Sequence, residues 1–137
     1  MVLLDTHVWF WWVEGDKRIG RTSRNAIADA ERRDGIRISA ASVFEIASLH
    51  THGRLRLRWS PERWITEALD VTRARIGELT AAIALDAGLI PRTTLPDPVD
   101  RLLVATARGF DLTIVTADLR ILDYATANHV RARHAGR

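Results

Sequence analysis

Four acids in this sequence stand where a solvated surface charge would not be expected: Asp5, Glu45, Asp100 and Asp118. Asp5 ends the apolar run Val2-Leu3-Leu4, and Asp118 follows Thr113-Ile114-Val115-Thr116 by two residues. An acid just beyond the carboxyl end of a buried strand lies where open α/β sheets place their ligands. Glu45 sits within residues 40–49, which are apolar around most of a helical circumference, so its carboxylate is costly unless something pairs with it. Asp100 is the third residue of a helix opened by Pro98, with Asp97 as its cap. Four converging carboxylates would repel strongly at low dielectric. A hard divalent cation relieves that repulsion, and Mg²⁺ prefers oxygen ligands with several waters retained. Such an ion makes water more acidic and stabilises charge on a phosphoryl oxygen, which is equipment for phosphodiester hydrolysis.

Each acid also has a plainer structural reading. Asp5 or Thr6 can cap the helix that starts at His7, Asp118 can cap another, and Asp97 with Asp100 has the spacing of a capping box. Glu45 can lie on a narrow polar face shared with Ser42 and Ser48. What favours chemistry is the set: two acids follow strands, and two sit on helices that would pack on the same sheet.

The elements that must position them alternate. A strand over residues 2–4 leads into an apolar helix closed by Gly15-Asp16. A helix over about 23–33 shows apolar and charged residues at helical spacing, and Asp34-Gly35 turns the chain into a strand at 36–38. Ser39 or Ser42 caps the next helix, which Gly53 ends. Residues 54–59 form an irregular basic connection, and Ser60-Pro61 starts a helix to about Leu69. A strand is expected over residues 71–76. Thr80 caps a helix stopped by Gly88, a proline-rich loop covers 90–98, and a helix from Pro98 is ended by Gly109. A strand over 113–116 and a short helix over 118–124 complete the pattern, with residues 125–137 as a polar basic tail. Strands alternating with helices imply a parallel α/β sheet with right-handed crossovers.

At 137 residues, 47% hydrophobic and 27% charged, the chain reads as a single globular domain. The absence of cysteine excludes a disulfide framework and a thiolate zinc site, and it fits a reducing cytoplasm. No stretch is long and apolar enough to span a bilayer. Asp5 interrupts the first apolar run and no basic segment precedes it, so it makes a poor signal peptide. The formal charge of +3 is modest but uneven. Arg54, Arg56 and Arg58 alternate, while Arg131, Arg133 and Arg137 with His129 and His134 crowd the end; such clusters suit RNA or simply a solvated surface.

Taken together, the sequence resembles the PIN-domain ribonucleases, and among them the VapC-like toxins of bacterial toxin–antitoxin pairs. The likeness runs from residue 2 to about 124 in four blocks: Leu3 to Trp9; Ser39 to Ala47 with Gly53-Arg54-Leu55; Asp97 to Ala107; and Leu112 to Asp118. The resemblance implies a three-layer α/β/α fold with a central, mainly parallel sheet. It implies Mg²⁺, or Mn²⁺, held by Asp5 and Asp100, with Glu45 and Asp118 reaching it directly or through water. Thr116 and Thr6 would order the site, and metal-activated water would cleave RNA. It also implies a cognate VapB-like antitoxin and a toxin homodimer, with residues 8–12 and the helices around Ile27 and Trp64 as walls of an antitoxin groove. There are departures. Many relatives carry a lysine four residues after the helix glutamate, where this chain has Leu49, so Arg54 is a candidate substitute for phosphate contact; Arg101 is either a phosphate contact or an ion-pair partner. Some relatives have a further acid where this chain has Arg120. Trp9, Trp11 and Trp12 can stack on bases, but core or a partner patch is the plainer reading. Two rivals remain: a non-catalytic RNA- or ribosome-binding module of the same fold, and an aspartate-nucleophile phosphatase, which usually wants a second aspartate where this chain has His7.

Overall fold

The computed structural model describes residues 1–137. Five strands, β1 (Val2–Leu4), β2 (Ile36–Ser39), β3 (Arg75–Gly77), β4 (Thr113–Thr116) and β5 (Ala132–His134), form one sheet in the order β3-β2-β1-β4-β5. Every adjacent pair is parallel. The helices are α1 (Thr6–Glu14), α2 (Arg21–Arg32), α3 (Ala40–Thr51), α4 (Pro61–Thr72), α5 (Ala81–Leu89), α6 (Pro98–Gly109) and α7 (Leu119–Thr126).

The pleat sorts the core into two layers, because successive strand residues point to opposite faces. Leu4, Ile36, Ile38 and Val115 pack with Val8, Trp9, Ile27, Ile46 and Trp64, so α1 to α4 cover that face. Leu3 and Ile114, one residue away in each strand, pack with Val104, Ile121 and Tyr124 from α6 and α7 on the other face. The result is helix, sheet, helix. A sheet buried on both faces explains why β1 and β4 read as unbroken apolar runs.

Local chemistry sets the helix ends. Ser39, Ser60 and Thr80 accept hydrogen bonds from the backbones of Ala41, Arg63 and Ile83 and cap α3, α4 and α5. Gly15 closes α1 at φ 68°, a conformation that glycine adopts without a Cβ clash.

Three expectations are corrected. Residues 71 and 72 belong to α4, not to a strand: the Thr72 hydroxyl donates to Ala68 O at 2.7 Å, Arg73 turns the chain at φ 53°, and β3 begins only at Arg75. Gly88 lies inside α5, which continues to the residue before the Ile90-Pro91 step, where proline disfavours further helix. The expected tail contains β5. Ile114 pairs with Ala132 and Thr116 with His134, while Val130 and Ala135 are buried. The segment is also tied to α2: Gly20 N–H donates to Ala135 O at 2.8 Å and Ser23 N–H to Arg137 O at 3.0 Å. A side chain on Gly20 would stand 2.5 Å from the backbone of Gly136 and Arg137, so only glycine admits this approach.

Candidate active site

β1 and β4 are neighbours at the centre of the sheet. From β1 the chain moves to β2 on one side, and from β4 to β5 on the other. Neighbouring strands whose connections diverge leave a crevice at their carboxyl ends, the usual ligand position in open α/β sheets. Asp5 and Asp118 flank that crevice. α3 and α6 supply the remaining walls, and Asp5, Glu45, Asp97, Asp100 and Asp118 all line one cleft of about 240 Å³.

Asp5 is fixed on both carboxylate oxygens. Oδ1 accepts from Val8 N–H at 2.8 Å, capping α1, and Oδ2 accepts from the buried Thr116 hydroxyl. The structural and chemical readings of Asp5 therefore coexist: a cap cannot swing away from the cleft. Burial pushes its pKa up to about 6; the bonds from Thr116 and Val8 and the nearby His7 pull it down, and Asp118 adds a small push upward. The Thr116 oxygen also accepts from Asp118 N–H at 2.9 Å. One hydroxyl thus positions both acids at the strand ends. Asp118 itself caps α7 through Arg120 N–H at 2.8 Å and Ile121 N–H at 3.3 Å.

The helix acids are placed by similar ties. The Thr6 hydroxyl donates to Ser42 Oγ at 2.9 Å, joining α1 to the turn of α3 that precedes Glu45. Ser39 Oγ lies 3.3 Å from Thr106 Oγ1, joining the end of β2 to α6. Glu45 is half-buried, while its neighbour Phe44 is 66% exposed, so α3 is less enclosed than its apolar sequence suggests. At the start of α6, Asp97 accepts from Val99 N–H at 2.9 Å, and the half-buried Asp100 lines the cleft. Burial pushes Asp100 up to about 7, helped by Asp118, Asp97, Glu45 and Asp5 in that order. Four separate acids acting on one carboxyl is the electrostatic signature of a crowded anionic pocket.

Residues 2–127 match the PIN domain family. The chain belongs to that family. It is 33% identical over 120 residues to Ribonuclease VapC22 of Mycobacterium tuberculosis (strain ATCC 25618 / H37Rv), with 88% of each chain covered. Its fold is similar to VapBC2 from Rickettsia felis bound to a DNA fragment from their promoter, at a TM-score of 0.65 and 17% identity over 97% of this chain and 98% of that one. A toxin–antitoxin complex from Klebsiella pneumoniae is similar at a TM-score of 0.62 and 16% identity, with 98% of both chains covered.

Besides Leu103 and Ala117, the cleft of this PIN domain is walled by two aromatic side chains, His7 and Trp11. They lie four apart on the helix that starts directly after Asp5, so they share its face; that spacing was visible in the sequence. Trp11 is half-buried, with the Arg18 guanidinium 5.1 Å from its ring centre. Trp9 is fully buried against Trp64. Neither arginine singled out for phosphate lines the acidic cleft. Arg54 borders a separate opening with Ser48 and His52, and Arg101 borders one between α5 and α6, with its Nε buried and unpaired. Ile27 and Trp64 are themselves fully buried in the core, whereas Phe10, Trp11 and Trp12 are half-buried at the surface. No helix is long and apolar enough to cross a membrane.

Proposed function

We propose that this PIN domain is a divalent-metal-dependent endoribonuclease, the toxin of a toxin–antitoxin pair. The observation that carries the reading is the convergence of Asp5, Glu45, Asp100 and Asp118 on one cleft at the switch point of the sheet. The residues fit a hard cation: the donors are all carboxylate oxygens, and two of them have their pKa raised by burial, with crowding adding to Asp100. No three of the acids form a ready-made metal cage, so an ion would depend on one or two carboxylates and retained water. Asp5 and Asp100 would hold Mg²⁺ or Mn²⁺, with Glu45 and Asp118 reaching it directly or through water. When bound, the ion supplies Lewis-acid stabilisation of phosphoryl charge and makes water a better nucleophile at neutral pH.

The chain's own groups do the rest. Thr116 and Val8 N–H fix the Asp5 carboxylate, so its orientation is set before substrate arrives. Glu45 orients the attacking water. The water oxygen bonds to phosphorus as the P–O bond to the departing ribose breaks, and a proton given up by that water ends on the ribose oxygen, leaving phosphate on one RNA fragment and hydroxyl on the other. Thr6 keeps α3, and with it Glu45, in register with α1.

The similarity to toxin–antitoxin complexes supports a VapB-like antitoxin as partner. The exposed Leu79, Leu85 and Leu89 in and beside α5 support assembly as a homodimer. The setting is the cytoplasm. Purified protein incubated with structured RNA should cleave it in Mg²⁺ and not in EDTA, and Asp100→Asn should lower cleavage by at least a hundredfold. Cleavage that survives both chelation and the substitution refutes the mechanism. Metal-independent RNA binding with no cleavage would favour a binding module instead.

A further inference from the structure

We propose that the groove between α7 and β5 is the track along which single-stranded RNA leaves the acidic cleft; this rests on the ribonuclease reading above. The groove is an opening of about 550 Å³, and no acid lines it. It neighbours the cleft along the chain. Ala117 and Asp118 line the cleft, and the next residue, Leu119, lines the groove. The sheet registers the two walls, because Thr116 pairs with His134 across β4 and β5.

Its chemistry complements a nucleic-acid strand. Leu119, 69% exposed, and Leu122 offer an aliphatic floor for sugar and base. Arg131, His134 and Arg137 supply positive charge or donors along the rim. Arg131 is already held by Asp111 at 2.8 Å, whereas Arg137 and His134 have no acid partner. The His134 Nδ1 accepts from Gly136 N–H at 2.9 Å, which leaves Nε2 to donate outward. Both side chains sit on anchored backbone, because Ser23 Oγ donates to His134 O at 2.7 Å and Ser23 N–H to Arg137 O at 3.0 Å. A cleft of five acids repels a polyanion, so attraction must come from its approaches, and this one carries arginines with no acid on its lining. A protein strand added to β5 is the poorer occupant. The edge is three residues long and flanked or interrupted by Arg131 and Arg133, the kind of short, charged edge that discourages strand pairing.

The pleat supplies its own control. Ala132 and His134 face the groove, so Arg133 between them points to the opposite face of the sheet. Arg137→Glu and Arg133→Glu change charge equally, on different sides. The test is fluorescence anisotropy of a fluorescein-labelled single-stranded RNA in EDTA, repeated across salt concentrations, with wild type and both variants. Arg137→Glu should weaken binding about tenfold at low salt and lower the slope of log affinity against log salt by about one. Arg133→Glu should stay within about twofold of wild type. Wild-type affinity in Arg137→Glu, or an equal loss in Arg133→Glu, overturns the track. Failure of the wild type to bind or cleave RNA even in Mg²⁺ overturns the ribonuclease reading itself. Cleavage by wild type with unaltered affinity in Arg137→Glu removes the track alone.

Discussion

Asp5→Asn should make the metal-free protein more stable at alkaline pH, although the substitution removes a proposed metal ligand. Burial holds the Asp5 carboxyl at about 6, above its ordinary 3.8. Well below its ordinary 3.8 the group is protonated folded and unfolded and costs the fold nothing, and the cost builds between there and about pH 6. As pH rises through about 6 the unfolded chain has already ionised, while the folded one must ionise a buried carboxyl. Stability contributed by the bound proton is therefore lost across that window. Once ionisation is complete the cost is about 3 kcal/mol, from roughly 1.4 kcal/mol for each tenfold shift in proton affinity. Asparagine removes the charge and keeps an Oδ1 that can accept from Val8 N–H, while its Nδ2 cannot accept from the Thr116 hydroxyl and donates to that oxygen instead, a weaker neutral bond. The diagnostic quantity is the difference in unfolding free energy, Asp5→Asn minus wild type, measured by urea denaturation in EDTA at pH 5 and pH 8. It should grow by about 1–2 kcal/mol between the two pH values. A difference that stays constant, or shrinks toward pH 8, refutes the account of Asp5 as a carboxylate that the fold ionises at a cost.

Mg²⁺ at millimolar concentration should raise the thermal midpoint of wild type and leave Asp100→Asn nearly unmoved, because a ligand stabilises only the state that binds it; calorimetry with and without the ion checks this, and equal shifts in both proteins would contradict it. Thr116→Val removes the donor to Asp5 and the acceptor for Asp118 N–H, so it should cost about 1–3 kcal/mol of stability. It should also raise the Asp5 pKa further, readable by NMR titration of that carboxyl, and a carboxyl that titrates lower in the variant would count against the bond. Gly20→Ala must displace the backbone around Gly136 and should destabilise by about 1–3 kcal/mol, whereas Gly88→Ala meets nothing within 4 Å inside α5 and should stabilise by about 0.5–1 kcal/mol. An unchanged or raised urea midpoint in Gly20→Ala would refute the contact at Gly20, and a lowered one in Gly88→Ala the open space in α5.

Much of the fold was legible because it rests on short-range chemistry. The runs at 2–4 and 113–116 are apolar on both faces, as central parallel strands must be, and Ser39, Ser60, Thr80 and Asp97 announce their helices by capping. What stayed hidden depends on partners distant in sequence. β5 carries only Ala132 between two arginines, and its strand character comes from β4 alongside it and Gly20 beneath the residues that follow. β3 was displaced in the reading because Val71 and Thr72 suit a strand by propensity, yet α4 keeps them: a helix already propagating adds one bond for each residue it fixes. His7 went unassigned, and Trp11 was grouped with Trp9 and Trp12 rather than with the acids, because each alone reads as an ordinary residue of an apolar helix. Only the cleft's position tells which face of α1 it uses.

The acids themselves were legible as a set but ambiguous singly, and the ambiguity has a structural origin. In a parallel sheet the loop that leaves a strand at the ligand end is also the loop that enters a helix. Asp5 and Asp118 are placed in this way after β1 and β4, and each caps the helix that follows; Asp97 caps α6 beside them. The fold therefore asks for capping acids where a cation site would need its ligands, and backbone N–H groups hold those acids in place. Helix N-termini favour negative charge near them, which lowers the cost of gathering carboxylates. That benefit does not cancel the cost, since Asp5 and Asp100 remain shifted upward. The residual strain is electrostatic, and a divalent cation would relieve it without moving a side chain away from its cap. Cap and ligand are on this view a single design, so substitutions at Asp5 should separate them. Glutamate, one methylene longer, keeps the charge but cannot hold both Val8 N–H and the Thr116 hydroxyl from the same backbone position. Asp5→Glu should then lose stability and cleavage together, where Asp5→Asn loses cleavage alone. Asp5→Glu retaining full stability in urea would show that the cap is dispensable and that the two roles are independent.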